Sequence, residues 1–243
     1  MKTAILAALL ALFAFGAHAQ KQGGTLRVLH RDSPASLSIH EEGTISTVLP
    51  AMGIFNNLVM YDQHKPKNSI DTIVPDLATS WSWNADYTVL TFKLREGVKW
   101  HDGKPFSSAD VKCTFDLLTG VAKDKLKINN RSGWYFNVAS IETNGPNEAV
   151  FRMKRAQPAF IALLASGFTP IYPCHVSARD MRQNPIGTGP FKFGEFKANE
   201  SMKVVRNPNY WKPGKPHLDA IEYTIVPNRS TAVLSFVAGK FDM

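Results

Sequence analysis

Two short stretches bring together residue types able to do acid–base or covalent chemistry. Trp100-His101-Asp102-Gly103 sets an imidazole beside a carboxylate, and Cys174-His175 sets a thiol beside a second imidazole. A nucleophile needs a base within hydrogen-bond reach and a third group to orient that base. Neighbouring residues on an extended segment point to opposite faces, so Cys174 and His175 make a poor nucleophile–base pair. The histidines stand at 18, 30, 40, 64, 101, 175 and 217, without the local spacing of zinc ligands. No GxSxG, HExxH or SxxK occurs. A hydrolase is therefore the minor alternative. The chain reads as a non-enzyme with no catalytic residue, no metal and no cofactor.

Every polar residue around His101 also has a structural reading. Thr88, Leu90, Phe92 and Leu94 alternate with Val89, Thr91, Lys93 and Arg95, the period of a strand, after turn residues Asn84-Ala85-Asp86. His101-Asp102-Gly103-Lys104 then turns the chain. Ser107 and Asp110 have capping-box spacing, and Val111, Thr114, Phe115 and Leu118 share one face of a helix that stops at Gly120. Elsewhere TLRVLH (25–30), FKFGEF, MKVVR and AIEYTIV read as strands, and Thr231–Ala238 as a short helix. Ile45, Val48, Leu49, Met52, Phe55 and Val59 predict an amphipathic helix, which Pro50 either opens or kinks. Pro158 opens a second apolar helix, AFIALLAS, capped by Gly167. GTGPF (187–191) fits no phosphate-binding pattern and predicts a tight backbone crossing.

The first residues differ from the rest. Lys2, the apolar run Ala4–Phe15 and Ala17-His18-Ala19 predict a secretory signal peptide over 1–19, cleaved after Ala19. The run is shorter than the ~20 residues of a spanning helix, so no membrane insertion is expected after cleavage. Export in a Gram-negative cell means the periplasm. The whole chain, 44% hydrophobic and 20% charged, has the composition of a globular protein. Its net charge of +8 is spread along the chain without a basic run, which argues against nucleic acid. Cys113 and Cys174 are expected as two buried thiols. A disulfide is the alternative, open only if their Cα atoms lie within roughly 7 Å.

PDLATSW (75–81), DYTVLTFKLREGVKWHDGKPFSSADV (86–111), PIGTGPFKF (185–193), RNPNYW (206–211) and GKFDM (239–243) run in order through the chain. Together they resemble the extracellular solute-binding proteins of the peptide/nickel class, which serve ABC importers. The resemblance implies an α/β fold, a mixed-sheet α+β lobe like that of a type II periplasmic binding protein. Residues 20–59 and 187–243 would form its main subdomain and 60–186 a smaller inserted one, with the second lobe of the family missing. It also implies a small-molecule or peptide ligand held in a cleft, delivery to an inner-membrane permease, and a monomer at full length. By position the cleft wall would include His30, Arg31 and Asp32, Trp134 and Tyr135, and Phe168 and Thr169. The absence of an Arg around Phe168-Thr169 favours a peptide or other organic solute over a nickel chelate. Family members are about twice as long, so a non-transporting truncated remnant is a further alternative.

Overall fold

The computed structural model describes residues 22–243; the signal peptide expected over 1–19 lies outside the described residues. In chain order the elements are β1 (Thr25–His30), α1 (Ile45–Ala51), β2 (Val59–Tyr61), β3 (Ile73–Pro75), β4 (Ala78–Trp83) and β5 (Val89–Leu94). There follow α2 (Ser108–Thr119), β6 (Val138–Thr143), β7 (Glu148–Met153), α3 (Phe160–Leu164) and α4 (Ala178–Met181). The chain ends with β8 (Phe191–Lys197), β9 (Ser201–Arg206), β10 (Ala220–Ile225) and α5 (Arg229–Val237). No helix among the described residues is long and apolar enough to cross a membrane.

Two four-stranded sheets organise the molecule. One is antiparallel throughout, in the order β4-β5-β7-β6. The other has the order β1-β10-β9-β8, with β1 parallel to β10 and the other pairs antiparallel. The alternation in β5 does what period two requires: Leu90, Phe92 and Leu94 are buried while Lys93 faces out. Above that sheet lies α2, begun by the Ser107/Asp110 capping box and ended by Gly120 at φ +80°. Its buried Phe115 meets Phe151 of β7 edge-on at 4.7 Å between ring centroids. A second core gathers Leu37, Ile39, Val48, Ile54, Phe55, Tyr172, Phe191, Met202 and Tyr223 against the mixed sheet.

The GTG segment crosses directly under the turn that follows α1. A Cβ on Gly187 would stand 1.9 Å from the Ile54 carbonyl oxygen, and one on Gly189 2.5 Å from the Ile54 carbonyl carbon. Only glycine permits that approach, and the Gly189 N–H uses it to donate to the Ile54 carbonyl at 2.9 Å.

Three local expectations need correction. First, α1 carries part of its apolar set outward: Ile45 and Leu49, with Met52 just past its end, are exposed, while Ser46, Thr47, Val48, Pro50 and Ala51 are buried. Pro50 stands inside it rather than opening it. Lacking an N–H, Pro50 leaves the Ser46 carbonyl without its helical donor, and the His30 ring Nε2 lies 3.0 Å from that oxygen as the replacement. Second, α3 stops at Leu164, and Gly167 does not cap it. The free carbonyls at its end are taken by side chains instead: Thr169 Oγ1 donates to Leu164 and Asn57 Nδ2 to Ser166.

Third, Cys113 and Cys174 are not buried thiols. They form a surface disulfide between α2 and the segment before α4, their Cα atoms 5.6 Å apart and 61 residues distant in sequence. A sequence pattern carries no information on that distance.

Two stability changes follow. Gly187→Ala forces a carbon into the Ile54 carbonyl and is expected to lower unfolding free energy by about 3 kcal/mol in urea titration. An unchanged midpoint would contradict the crossing. Opening the disulfide in the Cys113→Ser/Cys174→Ser double variant releases a long loop in the unfolded state, at a cost of about 4 kcal/mol. Dithiothreitol should shift the wild-type transition by the same amount and leave the double variant where it is.

Candidate functional site

The outward side of α1 begins an apolar face. Ile45 is 66% exposed, Leu49 38% and Met52 46%, high values for side chains of this type in a chain with two well-filled cores. Contact continues past Met52: its Cε lies 3.2 Å from where a Gly167 Cβ would stand, so glycine there leaves room for the methionine. Phe168 follows, and its ring meets Trp134 edge-on at 5.9 Å. Trp134, 42% exposed, stands on a short 3-10 turn, Ser132–Tyr135. Side chains on such a turn fan out by a third of a circle per residue. Thus Trp134 faces out while Tyr135 enters the core against Phe115.

Behind the two rings lies Arg131. Its guanidinium carbon is 4.6 Å from the Phe168 centroid and 5.5 Å from that of Trp134. It donates to the carbonyls of Ile39 and Glu42 and so fastens the segment leading into α1.

Beside this face is a cavity of about 340 Å³ bordered by Met52, Phe55, Asn56, Met60, Asp76 and Lys212. Its polar edge is a closed network. The buried Asp76 carboxylate accepts from Lys212 Nζ at 2.6 Å, from Asn56 Nδ2 at 2.9 Å and from the Asn57 N–H at 3.2 Å. Asn56 Oδ1 accepts in turn from Thr188 Oγ1 and Trp211 Nε1. With these groups mutually satisfied, the network reads as framework that shapes the cavity.

Of the seven residues expected in a cleft wall, Trp134 and Phe168 come together beside α1. His30 is buried with its ring on Ser46 and edge-on to Tyr223. Arg31 and Asp32 are exposed beyond the end of β1 and face each other at 3.7 Å, with Arg31 bordering another depression alongside Arg229. Tyr135 lies in the core and Thr169 caps α3. Sequence reading missed Arg131, Asn56, Asp76 and Lys212, and took Ile45, Leu49 and Met52 for core. The small residues Ser46, Thr47 and Ala51 opposite them are the one local sign of that inversion.

The four chemistry-bearing residues are also placed. His175 Nε2 lies 2.7 Å from Asp102 Oδ2, although the two are 73 positions apart. Burial pulls the Asp102 carboxyl upward, but the Lys104 N–H and His175 outweigh it and hold it below its ordinary range. Cys174, beside this pair, has its sulfur in the disulfide and offers no thiolate. His101 turns away from Asp102. Its Nδ1 accepts from the Gly187 N–H at 3.2 Å, and its Nε2–H donates to the Gly189 carbonyl at 3.1 Å. That ring is the clasp of the glycine crossing, and burial pushes its pKa down to about 4.

Comparison with known proteins gives a consistent result. The model of the bacterial extracellular solute-binding proteins, family 5 Middle, matches residues 72–243. A Brucella ovis protein named as an ABC transporter peptide-binding protein is 31% identical over 201 residues, 76% of this chain and 35% of its own length. The glutathione-binding protein GsiB of Escherichia coli is 32% identical over 167 residues, 68% of this chain and 32% of the relative. The structure of the periplasmic binding protein DppA from Helicobacter pylori, in complex with peptide STSA, matches with TM-score 0.81 and 25% identity. It covers 91% of this chain and 46% of that one. The chain spans about a third of the length of the curated relatives it matches.

The clasp carries a pH dependence. The ordinary value of 6.5 applies to the unfolded His101 and about 4 to the folded one. Between those values the unfolded chain binds the extra proton, so stability falls as pH drops from 6.5 to 4, by about 3 kcal/mol for this group. His40, fully buried on the Pro170 carbonyl and pushed down to about 3, acts with the same sign. Urea midpoints across that range should fall in wild type and fall less in His101→Gln. An equal fall in both would remove His101 from this role.

Proposed function

The chain belongs to the bacterial extracellular solute-binding proteins of family 5, and from that premise we propose that it forms one lobe of the solute-capturing component of an ABC importer. The solute is peptide-like or another small organic molecule. It rests on the face made by Ile45, Leu49, Met52, Trp134 and Phe168 and passes from there to an inner-membrane permease. The lobe consists of a main subdomain, 20–59 with 187–243, and an inserted one, 60–186. It acts in the periplasm after removal of residues 1–19, without covalent chemistry.

What carries the reading is the inverted helix α1. An exposed apolar stripe on a helix that buries Ser46 and Thr47 costs solvation and is accounted for by a surface kept for contact. The Trp134–Phe168 corner supplies rigid aromatic area next to it, the kind of wall that covers an apolar group. A single lobe leaves its ligand wet on one side, so affinity of this chain by itself is expected to be weak.

Equilibrium dialysis of the chain against a millimolar tripeptide mixture tests the proposal. Peptides should be retained and recovered intact, and Leu49→Asp should cut retention about tenfold with an unchanged melting temperature. Cleavage of the peptides, or retention indifferent to Leu49→Asp, would sink it.

A further inference from the structure

Resting on that reading, one feature of the face goes further: the charge behind it. Arg131 is only 3% exposed, yet both acceptors it reaches are neutral carbonyls, those of Ile39 and Glu42. Among the described residues it takes part in no ion pair. The two neighbouring carboxylates are engaged elsewhere. Glu41 accepts from Arg182 at 2.9 Å and from the Lys127 N–H, and Glu42 from Ser36 Oγ at 3.0 Å. A buried guanidinium without a counter-ion is costly, because carbonyl dipoles replace only part of its lost hydration.

The rings in front of it offset only part of the charge, and neither carries a negative charge of its own. Phe168 and Trp134 turn their faces toward the guanidinium, and aromatic faces already engaged by one cation are poor partners for another. The exposed side chains of the face, Ile45, Leu49, Met52 and Trp134, carry no charge of their own. Arg131 is the cation that faces both rings.

We infer that the solute group received beside Trp134 and Phe168 is an anion with an apolar neighbour, as in a peptide pairing an acidic with an apolar residue. The apolar part covers the rings and α1, and the anionic part offsets the buried guanidinium across them.

The probes are three C-terminally amidated tripeptides, Ala-Phe-Glu, Ala-Phe-Gln and Ala-Phe-Lys, titrated into the ¹⁵N-labelled chain with the Trp134 indole resonance as readout. Ala-Phe-Glu is expected to bind about tenfold tighter than Ala-Phe-Gln, the scale of one screened charge interaction, and Ala-Phe-Lys weakest. In Arg131→Met the three should converge. Equal affinities for the Glu and Gln peptides in wild type would overturn the inference and leave the solute-binding reading standing. A preference that survives in Arg131→Met would overturn it too, because the general +8 charge would then account for it. If Arg131→Met does not fold, wild type decides: shifts centred on Trp134 support the inference and shifts scattered over surface lysines refute it. Failure of all three peptides to bind would remove both readings.

Discussion

The buried carboxylate of Asp76 is the constraint on which the rest of the molecule depends. An isolated carboxylate in that position would be prohibitive, so the fold must bring it donors from far along the chain. It does so with Lys212, the Asn56 side chain and the Asn57 backbone, joining the end of the α1 turn to the segment after β9. Asn56 passes the linkage on to Thr188, which lies between the two glycines of the crossing. Those glycines grip Ile54 from below and are held by His101 from the side. Removing one member of such a network leaves the others buried and unpaired, so the segments are fixed together or not at all.

That fixation explains how α1 can hold part of its apolar surface outward. A short helix with Ile45, Leu49 and Met52 on one side would, left to hydrophobic burial alone, put that side inward. Its two ends are not free to rotate. Arg131 fastens the carbonyls before it, the Ile54 crossing anchors the turn after it, and His30 supplies the donor that Pro50 lacks. The solvation cost of the exposed stripe is met by interactions elsewhere, and the result is an apolar surface held rigidly beside two aromatic rings.

Elements whose signals are local were legible in the sequence. The alternation of β5, the Ser107/Asp110 box, the Gly120 stop and the glycine crossing all rest on the geometry of a few consecutive residues. The order of the motifs was enough to identify the family. The site was only partly legible. Of the residues expected in a cleft wall, Trp134 and Phe168 stand together at the candidate face, whereas His30, Tyr135 and Thr169 hold a helix, a core and a helix end. Arg131, Asp76 and Lys212 gave no sign, because a charged residue looks the same in sequence whether it is solvated or walled in.

By itself the sequence determined several of the strands, the start and stop of α2, and which family the chain belongs to, because capping, turn chemistry and periodicity act over a handful of bonds. Tertiary structure alone decided which side of α1 meets solvent, that Cys113 reaches Cys174, that His175 rather than His101 meets Asp102, and that Arg131 stands without a counter-ion behind an aromatic corner. Each of those outcomes is a distance between residues remote in the chain. Such distances are set by the packing of two cores through one buried network, and no local pattern encodes them.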